Sequence, residues 1–174
     1  MQPLPICPTF AVIESSIGRV AERMGGAPVQ DLLLIRLIKH LTARFNFNLG
    51  RMVRPVGLNE VSFRTLMMLY ANAEHGVHAS MLSEATGETR ANITRVCDEL
   101  ARKGLLQRHP GVEDRRRVVL ELTRKGEALI ERLLPKVWAQ LKTRMDALNA
   151  GEKRELERLL KKLVALFEDF DIKD

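Results

Sequence analysis

A mainly helical chain carrying one small β-wing is the fold class that this sequence predicts, and three observations predict it. Apolar residues recur at three- and four-residue spacing through most of the 174 residues, whereas strand alternation appears almost only once, after residue 104. Between the two lies a short amphipathic stretch, Thr89-Arg90-Ala91-Asn92-Ile93-Thr94-Arg95 and on to Lys103, that opens with small polar and basic side chains. It stops at Gly104 and turns at once into a basic hairpin. A helix of this make followed by a basic ribbon is the pattern of a winged helix-turn-helix, whose second helix lies in the major groove of DNA.

The elements follow in order. Ile13, Ile17, Val20 and Met24 fall on one face of an N-terminal helix that Gly25-Gly26-Ala27-Pro28 breaks. Residues 29–53 carry Leu33, Leu34, Leu37, Leu41 and Phe45 at helical steps and end at Pro55-Val56-Gly57. Asn59 is a fitting N-cap for a third helix to about residue 72, with Phe63, Leu66, Met67 and Tyr70 inward. A small helix over 79–86 meets the turn at Gly87, and Thr89 has the chemistry to cap the helix over 90–103. There Ile93, Val96, Cys97 and Leu100 form the buried stripe and leave Arg90, Asn92, Thr94 and Arg95 outward. Residues 105–109 and 117–122 read as strands, with Pro110, Gly111 and the cluster Glu113-Asp114-Arg115-Arg116-Arg117 at the tip. Thr123 caps a long helix over 124–148 that Pro135 should kink. A last helix starts at Asn149, with Glu152 completing a capping box and a stripe of Leu156, Leu159, Leu160, Leu163, Phe167 and Phe170.

That stripe is too long for a small winged-helix core to cover, so it predicts a homodimer. The organisation is then an N-terminal arm (1–28), dimerisation helices (29–58 and 123–174) and a DNA-binding lobe (59–122). The competing reading is an intramolecular helical cap on a monomer.

Charge agrees with a nucleic-acid partner. Between Glu88 and Lys125 ten Lys or Arg face six Asp or Glu, so this window holds an excess of four of the chain's net +6. Charge gathered on one element is an electrostatic footprint for phosphate. Thr89, Arg90, Asn92, Thr94 and Arg95 are the candidates for base and phosphate contacts in the major groove. Arg115, Arg116 and Arg117 are placed for the minor groove, where Asp114 can hold a guanidinium in a defined pose. The sequence holds no nucleophile–base pairing, phosphate loop or metal-ligand cluster, which argues against an enzyme and against a cofactor. Two cysteines, Cys7 and Cys97, make no disulfide framework and suit a reduced cytoplasm. The first residues lack a secretory pattern, and no stretch approaches the roughly twenty apolar residues of a membrane span.

Taken together, these motifs resemble the MarR family of bacterial transcription regulators over about residues 29–170. Asp114-Arg115-Arg116 is similar to the family's D-x-R wing motif, which implies that Arg116 is the groove arginine and Asp114 its partner. Arg117 stands where the family usually has serine or another small residue, which leaves open which arginine inserts. Arg36-Leu37 with His40, Leu58-Asn59-Glu60, residues 89–95 with Asp98-Glu99-Leu100, and Leu133-Leu134-Pro135 most resemble the EmrR-type repressors of multidrug-efflux operons. The resemblance implies a homodimer on a pseudo-palindromic operator, released by a small, often aromatic effector.

For that effector, Arg36 and His40 lie one helical turn apart and could offer a cation and a titratable donor. The competing reading is a solvated arginine and a histidine satisfied inside the fold. A second functional reading is a redox- or metal-switched regulator of the same fold, with Cys7, or His75 and His78, as the groups concerned.

Overall fold

The computed structural model describes residues 8–74, 76–110 and 118–170. Seven α-helices and one hairpin follow in the order α1 (Pro8–Met24), α2 (Val29–Val53), a 3-10 turn (Arg54–Val56), α3 (Glu60–Ala71), α4 (Ala79–Thr86), α5 (Arg90–Arg102), β1 (Leu106–Pro110), β2 (Val118–Leu122), α6 (Arg124–Met145) and α7 (Ala150–Phe170). The chain divides into two compact units, Met1–Glu127 and Ala128–Asp174.

In the first unit α1 packs on α2, α2 on α3, and α3, α4 and α5 on one another, with the hairpin against α3, α4 and α5. The helix starts are chemical. Asn59 Oδ1 accepts from Ser62 N at 2.8 Å, Thr89 Oγ1 from Asn92 N at 3.2 Å, and Thr123 Oγ1 from Gly126 N at 3.1 Å. Each satisfies a backbone N–H that the first helical turn leaves without a partner. Gly87 ends α4 at φ +68°, the left-handed region where only glycine is at ease, and so permits the tight turn into α5.

The core of this unit is the set that helical spacing picks out. Ile93, Val96, Cys97 and Leu100 are all buried on α5, together with Leu66, Leu69 and Phe63 on α3 and Leu82 on α4. On α3 the inward face differs from the expected one. Leu69 is buried where Met67 and Tyr70 are half-buried, and Ser62 and Thr65 are buried beside it. The helix is turned so that two small hydroxyl residues share the packed face, which polarity patterning reads as outward.

The hairpin is antiparallel with Leu106 opposite Leu122 and Pro110 opposite Val118. Pro110 therefore closes β1 instead of sitting in the tip, a place where its missing N–H costs nothing on an edge strand. Val77, just ahead of α4, bridges the outer side of β2, with Leu120 N donating to Val77 O at 2.8 Å. The wing tip, including Asp114, Arg115, Arg116 and Arg117, lies outside the described residues, as do Cys7 and His75.

Where α6 begins, it comes very close to the hairpin. A Cβ on Gly126 would collide with the carbonyl oxygen of Leu105, and the obstacle is backbone. Gly126→Ala should lower stability by about 1–3 kcal/mol in urea unfolding, since the added methyl must push the strand entry aside. An unchanged urea midpoint would mean that the contact yields freely.

α6 runs unbroken through Pro135, so the expected interruption does not divide it, and it ends at Met145, three residues short of the expected boundary. α7 starts on the capping box read from sequence: Glu152 N donates to Asn149 Oδ1 at 3.0 Å and Asn149 N to Glu152 Oε2 at 2.8 Å. Leu156, Leu159, Leu160, Leu163 and Phe167 of α7 are exposed in the single chain, and on α2 so are Leu34, Leu37, Leu41 and Phe45. Among the described residues no helix is long and apolar enough to cross a membrane.

Candidate nucleic-acid interface

The candidate surface is the solvent side of α5 and the base of the hairpin. Helix α5 is amphipathic, so burying Ile93, Val96, Cys97 and Leu100 turns Arg90, Ala91, Thr94, Arg95 and Arg102 outward. The N-terminal end also carries the partial positive charge of the helix dipole, which favours a phosphate.

The side chains singled out from the sequence are not equally free. Thr89 serves as the cap and its hydroxyl oxygen faces back to Asn92 N. Thr94 Oγ1 donates to the Arg90 carbonyl at 2.9 Å. Asn92 is half-buried and bonded at both ends of its amide: Nδ2 donates to Glu88 Oε2 at 2.5 Å, and Oδ1 accepts from Arg95 NH2 at 2.8 Å. Arg90 is exposed and has no ion pair with any described residue.

Several polar fasteners outside the apolar stripe hold α5 in place. Arg64 of α3 pairs with Glu60 at 3.1 Å and donates to the Thr86 carbonyl at 2.8 Å, closing the end of α4. Ser83 Oγ donates to the Glu88 carbonyl at 2.6 Å and secures the turn. Asp98 on α5 pairs with Arg108 on β1 at 2.6 Å, joining helix to hairpin. At the far end Lys103 Nζ donates to both Glu99 Oε1 and the Gly57 carbonyl, and Lys125 Nζ donates to the Lys103 carbonyl at 2.7 Å. The hydrogen bond from Lys103 holds the Glu99 carboxyl below the usual range. Of these, the Glu60–Arg64, Glu88–Asn92 and Glu99–Lys103 pairs are four residues apart on or beside one helix and could have been read from spacing. The Asp98–Arg108 pair could not.

Burial pushes the Cys97 thiol up to about 11, which leaves it protonated at neutral pH and a packing group, as its place on the apolar stripe suggests. The Nδ1–H of His78 donates to the Val118 carbonyl at 3.0 Å. Among the described residues no group of three His, Cys, Asp or Glu is placed to hold a metal ion. On α2, Arg36 is exposed, while His40 is half-buried and stacks edge-to-face with Phe10 of α1, with ring centroids 5.8 Å apart.

The arrangement of a capped, basic-faced helix beside a hairpin has counterparts. Residues 56–117 match the model of the MarR family. Over 163 residues the chain is 33% identical to the transcriptional repressor MprA of Escherichia coli K12, an alignment covering 94% of this chain and 93% of that one. It is 33% identical over 152 residues, 87% of this chain and 89% of the other, to the HTH-type transcriptional repressor YetL of Bacillus subtilis. Among solved structures, a cysteine-to-serine variant of E. coli MarR complexed with operator DNA superposes with a TM-score of 0.67 at 28% identity, covering 75% of this chain and 92% of that one. The DNA complex of Staphylococcus aureus MepR, at 21% identity, covers 75% of this chain and 95% of that one with a TM-score of 0.69 and supports the winged-helix fold. With a relative one-third identical along nearly its whole length, the chain belongs to the MarR family, whose members are transcription regulators and not enzymes.

Proposed function

We propose that the chain acts as a homodimeric repressor that occupies a pseudo-palindromic operator and leaves it when a small, aromatic ligand binds. The observation that carries this reading is the outward basic face of α5, capped by Thr89 and joined to the hairpin through Asp98 and Arg108. The relative named as a transcriptional repressor, and the similar structure solved with operator DNA, support it. Arg90, Asn92, Thr94 and Arg95, with Thr89 at the cap, face the major groove. Asp114, Arg115, Arg116 and Arg117 serve the minor groove. Two copies of α5 must then sit about 34 Å apart to enter successive major grooves.

Residues 1–28, 29–58 and 123–174 are the proposed dimerisation segments, and the apolar rows left exposed on α2 and on α7 support that role. The effector reading comes from the family resemblance, with Arg36 and His40 as the proposed anchors for its acidic or phenolic group. A ligand can release DNA only by binding more tightly to a dimer whose reading heads no longer match the operator spacing.

The test takes fragments selected from genomic DNA by the purified protein. Arg116→Ala should weaken their binding strongly in a mobility-shift assay while light scattering still reports a dimer. Undiminished binding would remove the wing from the interface, and a wild-type chain that selects no fragment would end the operator-binding reading.

A further inference from the structure

The chain Glu88–Asn92–Arg95 sorts the proposed DNA contacts in a way that residue type alone does not. Resting on the operator-binding reading above, we infer that Arg95 reads a guanine in each half-site and that Asn92, held by Glu88, is the positioning residue that aims it and not itself a reader of adenine.

The chemistry of the three groups fixes the order of the chain. A carboxylate only accepts hydrogen bonds and a guanidinium only donates them. An amide between the two must therefore turn Nδ2 toward Glu88 and Oδ1 toward Arg95, as observed at 2.5 and 2.8 Å. Reversing the amide would set its oxygen against the carboxylate and its NH2 against the guanidinium, two lost bonds and two repulsions. An asparagine that reads adenine presents one donor and one acceptor to N7 and N6 together. In Asn92 each of those groups is already held along the helix, and the residue is half-buried.

Arg95 is the complementary case. It is exposed, gives one N–H to Asn92 and keeps the rest of its fork outward. A guanidinium tied at one end has fewer rotamers to lose when its other edge meets guanine O6 and N7, the commonest bidentate contact in the major groove. Glu88 is itself placed by the turn, because Ser83 Oγ donates to its carbonyl and Gly87 sets the chain direction before it.

The experiment is selection of bound duplexes from a random pool, scored base by base, for the wild-type chain, Arg95→Ala, Asn92→Ala, Glu88→Ala and Glu88→Gln. The inference expects Arg95→Ala, Asn92→Ala and Glu88→Ala to relax the same guanine position by about five- to a hundredfold, the worth of one bidentate base contact. Glu88→Gln keeps an oxygen for Asn92 Nδ2 and should restore most of the preference, which a loss of folding would not. Glu88→Ala also removes an anion beside the groove, so its binding to unrelated duplex should hold or rise while selectivity falls. Loss of preference at an adenine in Asn92→Ala with the guanine unaffected would overturn the inference. So would an Arg95→Ala protein that selects the wild-type sequence, or a Glu88→Ala protein that does. If the wild-type chain prefers no sequence at all, the operator-binding reading fails together with this one, and the first lane of the experiment tells the two failures apart.

Discussion

Raising salt from 50 to 200 mM should weaken operator binding by about three to five decades, the loss expected when a protein neutralises on the order of six to ten phosphates. Two copies of a surface on which Arg90 and Arg102 are exposed, with the arginines at 115–117 added at each wing, supply up to ten such cations besides the Arg95 assigned to a base. Each phosphate neutralised releases counterions, so the logarithm of affinity falls linearly with the logarithm of salt at a slope of about −0.9 per contact. Arg90→Ala should lower that slope by about one per chain if Arg90 holds a phosphate, and leave base preference unchanged. Titration by fluorescence anisotropy at four or five salt concentrations gives both quantities. A slope near zero would mean that the basic face does not meet the DNA backbone.

Leu100→Ala should have the largest effect on the fold. Leu100 is fully buried on α5, and its truncation should cost about 2–5 kcal/mol, because the lost transfer energy is joined by the cavity left behind. Against a total stability of about 5–15 kcal/mol this is a large share. Its side chain is enclosed in the core and is no part of the exposed surface that carries Arg90 and Arg95, so any loss of operator affinity in this variant must come through the population of folded lobes. Urea unfolding followed by circular dichroism should show the midpoint falling with Leu100→Ala and nearly unmoved with Arg90→Ala, an exposed site where changes stay within about 0.5 kcal/mol. An unshifted midpoint for Leu100→Ala would contradict the packing of α5 described above.

How far the sequence could be read depended on whether a signal was local. The bounds of α2 and α4, the caps Asn59, Thr89, Thr123 and Asn149, and the four-residue stripe of α5 all rest on spacing within one helix, and each appears as expected. What was illegible comes from distant partners. Ser62 and Thr65 are small enough to lie in a packed face despite their hydroxyls, and only the neighbours of α3 decide that they do. Val77 forms a bridge of one residue, too short to leave any alternation. Pro135 stays within α6 because a helix can lose one backbone bond and continue when the remainder of its turns are satisfied. In the candidate site, residue type nominated Arg90, Asn92, Thr94 and Arg95 for the proposed DNA face but did not by itself say that Asn92 is bonded at both ends of its amide.

The one-residue bridge between Val77 and Leu120 also limits how such a molecule can be switched. It stitches the second wing strand to the segment leading into α4, while the Asp98–Arg108 pair stitches the first strand to α5. Moving either strand of the ribbon's stem off the seated helices must break one of these ties, the exposed ion pair being the weaker of the two. On the ligand-released function proposed above, an effector that lifted the wing alone would have to break both ties, so each head should leave the duplex with helix and ribbon together and no half-engaged head should accumulate.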